Sequence, residues 1–204
     1  MQSLHERFLD GIAEEGRPSR RIVLPGSVNA DVGARRFAAA QELATDVDVL
    51  NYALTLEHLE AAFYREGLET FGEEDFDAGV FDNLAAIRDH EAAHVATLTA
   101  TITELGGTPV EEQEYDFGYG DDPAAFLGVA QALENTGVQA YDGAGQFLSD
   151  PGLLTAAGGI VAVEARHAAY LNELNDDLPF PAAFEMPLTP AEVLDIATPF
   201  IVGQ

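Results

Sequence analysis

The sequence predicts an all-α protein: a four-helix bundle with one long crossover, an irregular arm ahead of it and a short helix behind it. Three observations lead there. Apolar residues recur at spacings of three and four along four long segments. Helix start and stop signals fall between those segments. The joining stretches are two shorter ones separated by one longer one, the layout of two helical hairpins linked along the side of a bundle.

Taken in order, the first helix is expected from near Arg36 to Glu69, ending before Phe71-Gly72. The second is expected from about Val80 to Leu105, closed by Gly106-Gly107, a pair suited to a left-handed C-terminal cap. Asp122-Pro123 opens the third, with Asp as N-cap and Pro at the first helical position. Asp150-Pro151 repeats that device for a fourth helix ending near Asn175. Thr189-Pro190-Ala191-Glu192 announces a short last helix with a capping box. Roughly ten residues join the first pair and one or two the second, so each pair is expected to be an antiparallel hairpin. Between the hairpins, Gly107 to Asp121 is long for a tight bend and suits a crossover carrying Tyr115, Phe117 and Tyr119.

The stretch 1–36 reads as an N-terminal arm and 37–204 as the bundle domain. Six of the nine Arg lie in the arm beside five acids, and Pro18, Pro25, Gly26 and Gly33 interrupt any regular pattern. Such an arm suits docking on its own acidic body or on a neighbouring subunit of a homo-oligomer.

Composition limits the function. The 204 residues are 47% apolar, enough for a sizeable core. Lys+Arg 9 against Asp+Glu 36 gives a net charge of −27, and every base is Arg. That field repels phosphate backbones and anionic lipid, so neither nucleic acid nor membrane is an expected partner. An acid-rich, Lys-free chain suits concentrated salt, where screening shortens self-repulsion, and reads as halophilic. With no Cys there are no disulfides, thiolate nucleophiles or iron–sulfur clusters. No apolar run approaches the roughly 18–20 residues of a membrane helix, and the start lacks a secretory pattern, so the expected location is the cytoplasm.

The informative residues are polar ones in apolar stripes. On the second helix Leu84, Ile87, Leu98, Ile102 and Leu105 set a rhythm whose gap is filled by Glu91 and His94. On the fourth, Leu153, Ile160, Leu171 and Leu174 bracket Glu164 and His167. Glu57 continues Leu50 and Leu54 on the first helix, with Glu60 as a rival on an adjacent stripe. Glu134 lies with Leu127 and Gln131 on the third. Each of Glu57 and Glu134 is followed seven residues later by a tyrosine, Tyr64 and Tyr141. The halves of the chain therefore repeat Glu, Tyr at plus seven, then Glu-x-x-His on the next helix.

A single acid-x-x-His pair is weak, since 36 acids and five His produce roughly one by chance. Two such pairs with two lone Glu and two matching Tyr, all on inward stripes, are not accidental. Four carboxylates in one core repel one another and resist burial, so they require a common counter-charge. Two divalent cations supply it, and carboxylates with one imidazole per ion suit iron or manganese. Tyr64 and Tyr141 read either as core aromatics or as redox or hydrogen-bonding partners of the site.

At these residues the chain resembles the ferritin-like superfamily, whose di-metal carboxylate proteins carry Glu on two helices and Glu-x-x-His on the other two. Leu54 to Tyr64, Gly106-Gly107-Thr108-Pro109 and the tail Ala183 to Pro190 are similar to the branch related to desiccation-related proteins. The resemblance implies metal ligands Glu57, Glu91, His94, Glu134, Glu164 and His167, with Glu91 and Glu164 as bridges. It implies two Fe ions, or alternatively two Mn ions, and chemistry with dioxygen or peroxide. Related sites often place an acid directly before each bridging Glu to orient a His. Here His90 and Val163 stand in those positions, leaving Asp89 as a substitute. The expected function is a di-iron oxidoreductase of the ferroxidase or peroxidase type. Its rivals are a manganese catalase-like site and a non-catalytic stress protein.

Overall fold

The computed structural model describes residues 43–203, so the arm expected over 1–36 lies outside the described residues. Among the described residues five α-helices follow one another: α1 (Asp46–Thr70), α2 (Val80–Glu104), α3 (Pro123–Ala144), α4 (Pro151–Leu174) and α5 (Pro190–Ala197). Among the described residues the only β pairing is an isolated bridge between Tyr115 and Ile201. No described helix is long and apolar enough to cross a membrane.

The first helix starts later than expected. Thr45 caps it: its hydroxyl accepts from the Asp48 N–H at 3.2 Å, while the Asp48 carboxylate accepts from the Thr45 N–H at 2.9 Å. This reciprocal pair satisfies two backbone donors that a helix end leaves open, and so sets Asp46 as the first helical residue. The other starts fall where the sequence placed them. Asp122 and Asp150 each accept from two backbone N–H groups with Pro next in the chain, and Thr189 forms its box with Glu192. The α2 end is closed by Gly106 at φ +77°, a left-handed conformation that glycine adopts without a Cβ clash.

The join between α3 and α4 is longer than the one or two residues expected. A 3₁₀ turn, Gly145–Phe147, follows α3, and Leu148, Ser149 and Asp150 lead into α4. Asp46 at the start of α1 holds this loop. Its carboxylate accepts from the Ser149 N–H at 2.6 Å, the Ser149 hydroxyl at 2.9 Å and the Asp150 N–H at 3.2 Å. Those bonds hold the Asp46 carboxyl below the usual range.

α1 packs along α2 and α3 along α4, and α1 also lies against α3. The crossover is pinned to α1 at several points. The Asn51 side chain donates to the Thr108 carbonyl and accepts from the Val110 N–H, and His58 Nε2 meets the Val110 carbonyl at 3.2 Å. Its aromatic half covers one end of the bundle. Phe117 and Tyr119 pack edge-on to Phe63, which in turn stacks on Phe126 with centroids 4.6 Å apart. The tail returns to the same place, where Asp116 N–H donates to Phe200 and Val202 N–H to Glu114.

Candidate metal centre

Midway along the bundle the four long helices turn carboxylates and imidazoles toward one another. Glu57, Glu91, Glu134 and Glu164 are each fully buried, and His167 is buried with them. His94 keeps 12% of its side chain exposed. All six residues expected from the sequence meet in this one place, as two groups: Glu57, Glu91, His94 and Glu164, then Glu91, Glu134, Glu164 and His167. Within each group one ligating atom per residue lies within 4.8 Å of the rest. Glu91 and Glu164 are common to both.

The centre of each group is an imidazole Nδ1. His94 Nδ1 is 3.1 Å from Glu57, 3.2 Å from Glu91 and 3.1 Å from Glu164. His167 Nδ1 is 3.1 Å from both Glu91 and Glu134, and 4.0 Å from Glu164. One Nδ1–H cannot serve three acceptors. Accordingly Glu91 Oε1 and both oxygens of Glu164 are buried without a hydrogen-bond partner. Such atoms are costly in a low-dielectric interior unless a cation meets them. The donor set, carboxylate oxygen with one imidazole nitrogen per group, suits hard or borderline divalent ions. The residues fit a metal pair.

Protonation in the metal-free protein points the same way. Burial opposes charge on His94, but the carboxylates of Glu164, Glu57 and Glu91 around its Nδ1 outweigh it and push the imidazole up to about 12. His167 is lifted to about 10 against burial by the neighbouring Glu134 and Glu91 carboxylates. Burial pushes Glu57 and Glu164 up to about 8, whereas the His167 and His94 imidazoles overcome burial at Glu91 and bring it to about 2. Without metal, the site draws its positive charge from imidazolium and from carboxyl protons.

The two tyrosines cross over. Tyr64 on α1 donates to Glu134 Oε1 on α3 at 2.7 Å, and Tyr141 on α3 donates to Glu57 Oε1 on α1. Each bond occupies the oxygen that faces away from the imidazole, since Glu134 Oε2 and Glu57 Oε2 are the ones at His167 and His94. Burial, with the neighbouring carboxylates, pushes both phenols well above their usual range, so they stay protonated donors.

His90, at the position where an acid was expected, meets His167 across the bundle. Its Nδ1 lies 2.9 Å from His167 Nε2, with the rings parallel and 5.2 Å apart. His167 Nδ1 is turned toward Glu91 and Glu134, so Nε2 is the ring nitrogen that meets His90. Val163, before Glu164, has no polar atom to offer His94. The Asp89 alternative fails, because its exposed carboxylate is bonded to Arg88 at 2.8 and 3.0 Å. Two features were not read from the sequence: the His90–His167 contact, and an amide cluster in which Gln131 and Asn135 both donate to Asn172. Residues 77 apart in one contact and 41 apart in the other leave no local signal.

A family profile for the ferritin-like domain matches residues 45–176, from the cap of α1 to just past the end of α4. The chain belongs to the ferritin-like family. No curated protein matches it. Its ferritin-like domain thus contains the whole buried cluster, while α5 and the returning tail lie beyond the matched residues.

Proposed function

We propose that this ferritin-like protein holds two iron ions and acts as a di-iron oxidoreductase toward dioxygen or peroxide. Glu57 and His94 would hold one ion and Glu134 and His167 the other, with Glu91 and Glu164 available to both. The observation that carries this reading is the sharing of Glu91 and Glu164 by both groups, with three of their four oxygens unpartnered. When bound, an iron pair supplies two one-electron oxidations from Fe(II) to Fe(III), which match the two electrons that reduce peroxide.

The chain's own residues prepare that site. Tyr64 and Tyr141 fix the outer carboxylate oxygens, so Glu134 and Glu57 present their other oxygen inward without rearrangement. His90 meets His167 Nε2, so Nδ1 is the atom that gives up its proton when an ion is taken up. Packed helices exclude water from Glu57, Glu91, Glu134 and Glu164, which strengthens every charge interaction among them.

The test is anaerobic loading with Fe(II), then exposure to air or to peroxide while Fe(III) absorbance is followed. Stoichiometric oxidation faster than in protein-free buffer is the expected result. Oxygen evolution from peroxide by manganese-loaded protein, with slow Fe(II) oxidation, would instead assign the manganese catalase-like reading. Metal uptake without either reaction would leave a non-catalytic stress-type protein.

A further inference from the structure

A fifth carboxylate belongs to the same chamber and has no role in the account above. Glu60 stands one turn after Glu57 on α1 and is 3% exposed. Among the described residues no hydrogen bond or ion pair engages it, although each neighbouring Glu of the cluster has a histidine or tyrosine near it. Burial raises its carboxyl well above the usual range, and the charges of Glu164, Glu134, Glu91 and Glu57 push it the same way.

The repeat between the two halves shows why the position is unusual. α1 carries Glu57, Glu60 and Tyr64; α3 carries Glu134, Gly137 and Tyr141 at the same spacings. The partner of Glu60 is therefore a residue with no side chain. A Cβ at Gly137 would lie 2.9 Å from Glu60 Oε1 and 3.3 Å from Glu164 Oε2. Glu60 and a bridging carboxylate thus converge on the space that Gly137 leaves open. Mid-helix glycine costs about 1 kcal/mol relative to alanine, a cost that keeping this space open accounts for.

We propose that Glu60 is a seventh metal ligand, reaching the ion pair from the α1–α3 face through the gap at Gly137 and making the two-metal site asymmetric. The inference rests on the two-metal reading above. Four carboxylates already balance two divalent ions, so a fifth leaves the ion that it reaches with one more donor oxygen and one more negative charge than the other.

Cobalt(II) is the test ion, because its visible bands report coordination number and geometry without turnover. Wild type, Glu60→Gln and Gly137→Ala are titrated with cobalt(II), and thermal unfolding is measured with and without the ion. The expected result is two ions per chain in all three, with altered visible bands and about tenfold weaker binding of one ion in both variants. Glu60→Gln preserves shape and removes only the charge, so the metal-free variant is expected to be at least as stable as wild type. Its stabilisation by cobalt is expected to shrink. Bands and affinities identical to wild type in Glu60→Gln would overturn the proposal while leaving the two-metal site standing. Wild-type protein that binds no cobalt would overturn both.

Discussion

At the scale of single residues, the cluster separates the carboxylates and imidazoles that face one another from the tyrosines and His90 that hold them in place. Glu91 and Glu164 belong to both halves, so Glu91→Ala or Glu164→Ala is expected to abolish tight binding of the pair, with metal content falling well below two per chain. Unchanged stoichiometry in either variant contradicts the bridging assignment. His90 acts through His167 alone. His90→Ala is expected to weaken one ion by roughly tenfold or more while Val163→Ala leaves both affinities unchanged, a contrast readable by calorimetric titration. The six inward residues were legible because polar side chains interrupted apolar stripes at helical spacing. Which oxygen each tyrosine serves was not. The plus-seven spacing puts Tyr two turns from its own Glu, about 10 Å along the helix axis. Only the placing of α1 beside α3 brings it level with the Glu of the other half.

At the scale of elements, caps were legible and close approaches were not. Asp-Pro and Thr-Pro starts each satisfy open N–H groups within three residues, so their signal is local. The apolar spacing of Ala38-Ala39-Ala40 extended the expected first helix back to Arg36, whereas the Thr45–Asp48 box starts α1 at Asp46. Gly143 exemplifies what periodicity misses. A Cβ there would sit 1.8 Å from the Leu188 carbonyl oxygen, where the tail crosses α3 and Leu188 N–H donates to Gln139. Because the obstacle is backbone, Gly143→Ala is expected to lower stability by about 1–3 kcal/mol in thermal unfolding. Metal stoichiometry should be unaffected, since α5 and the tail lie outside the cluster.

For the whole molecule, charge sets how stability answers to pH and salt. His94 and His167 are raised to about 12 and 10, and Glu57 and Glu164 to about 8. Each folded-state group therefore binds its proton more tightly than the unfolded chain does. Their stabilisation is complete below the unfolded values, near 4.5 for Glu and 6.5 for His, and is lost as pH rises through the folded ones. Metal-free protein is thus expected to lose melting temperature from about pH 5 upward, the Glu57 and Glu164 share by about pH 8 and the histidine share by about pH 10 to 12, a trend that bound metal should flatten. Loading at pH 7 should release protons from both imidazolium rings and from the Glu57 and Glu164 carboxyls, readable from calorimetry in buffers of different ionisation heat. A net charge of −27 also predicts that added salt stabilises the chain.

The most direct measurement is elemental analysis of protein purified without chelator, with Glu91→Ala prepared in parallel. Two iron or manganese atoms per wild-type chain, lost together in the variant, are the predicted result. Wild-type protein that is folded yet stays metal-free even after incubation with Fe(II) and Mn(II), its six buried side chains bonded only to one another, would contradict it.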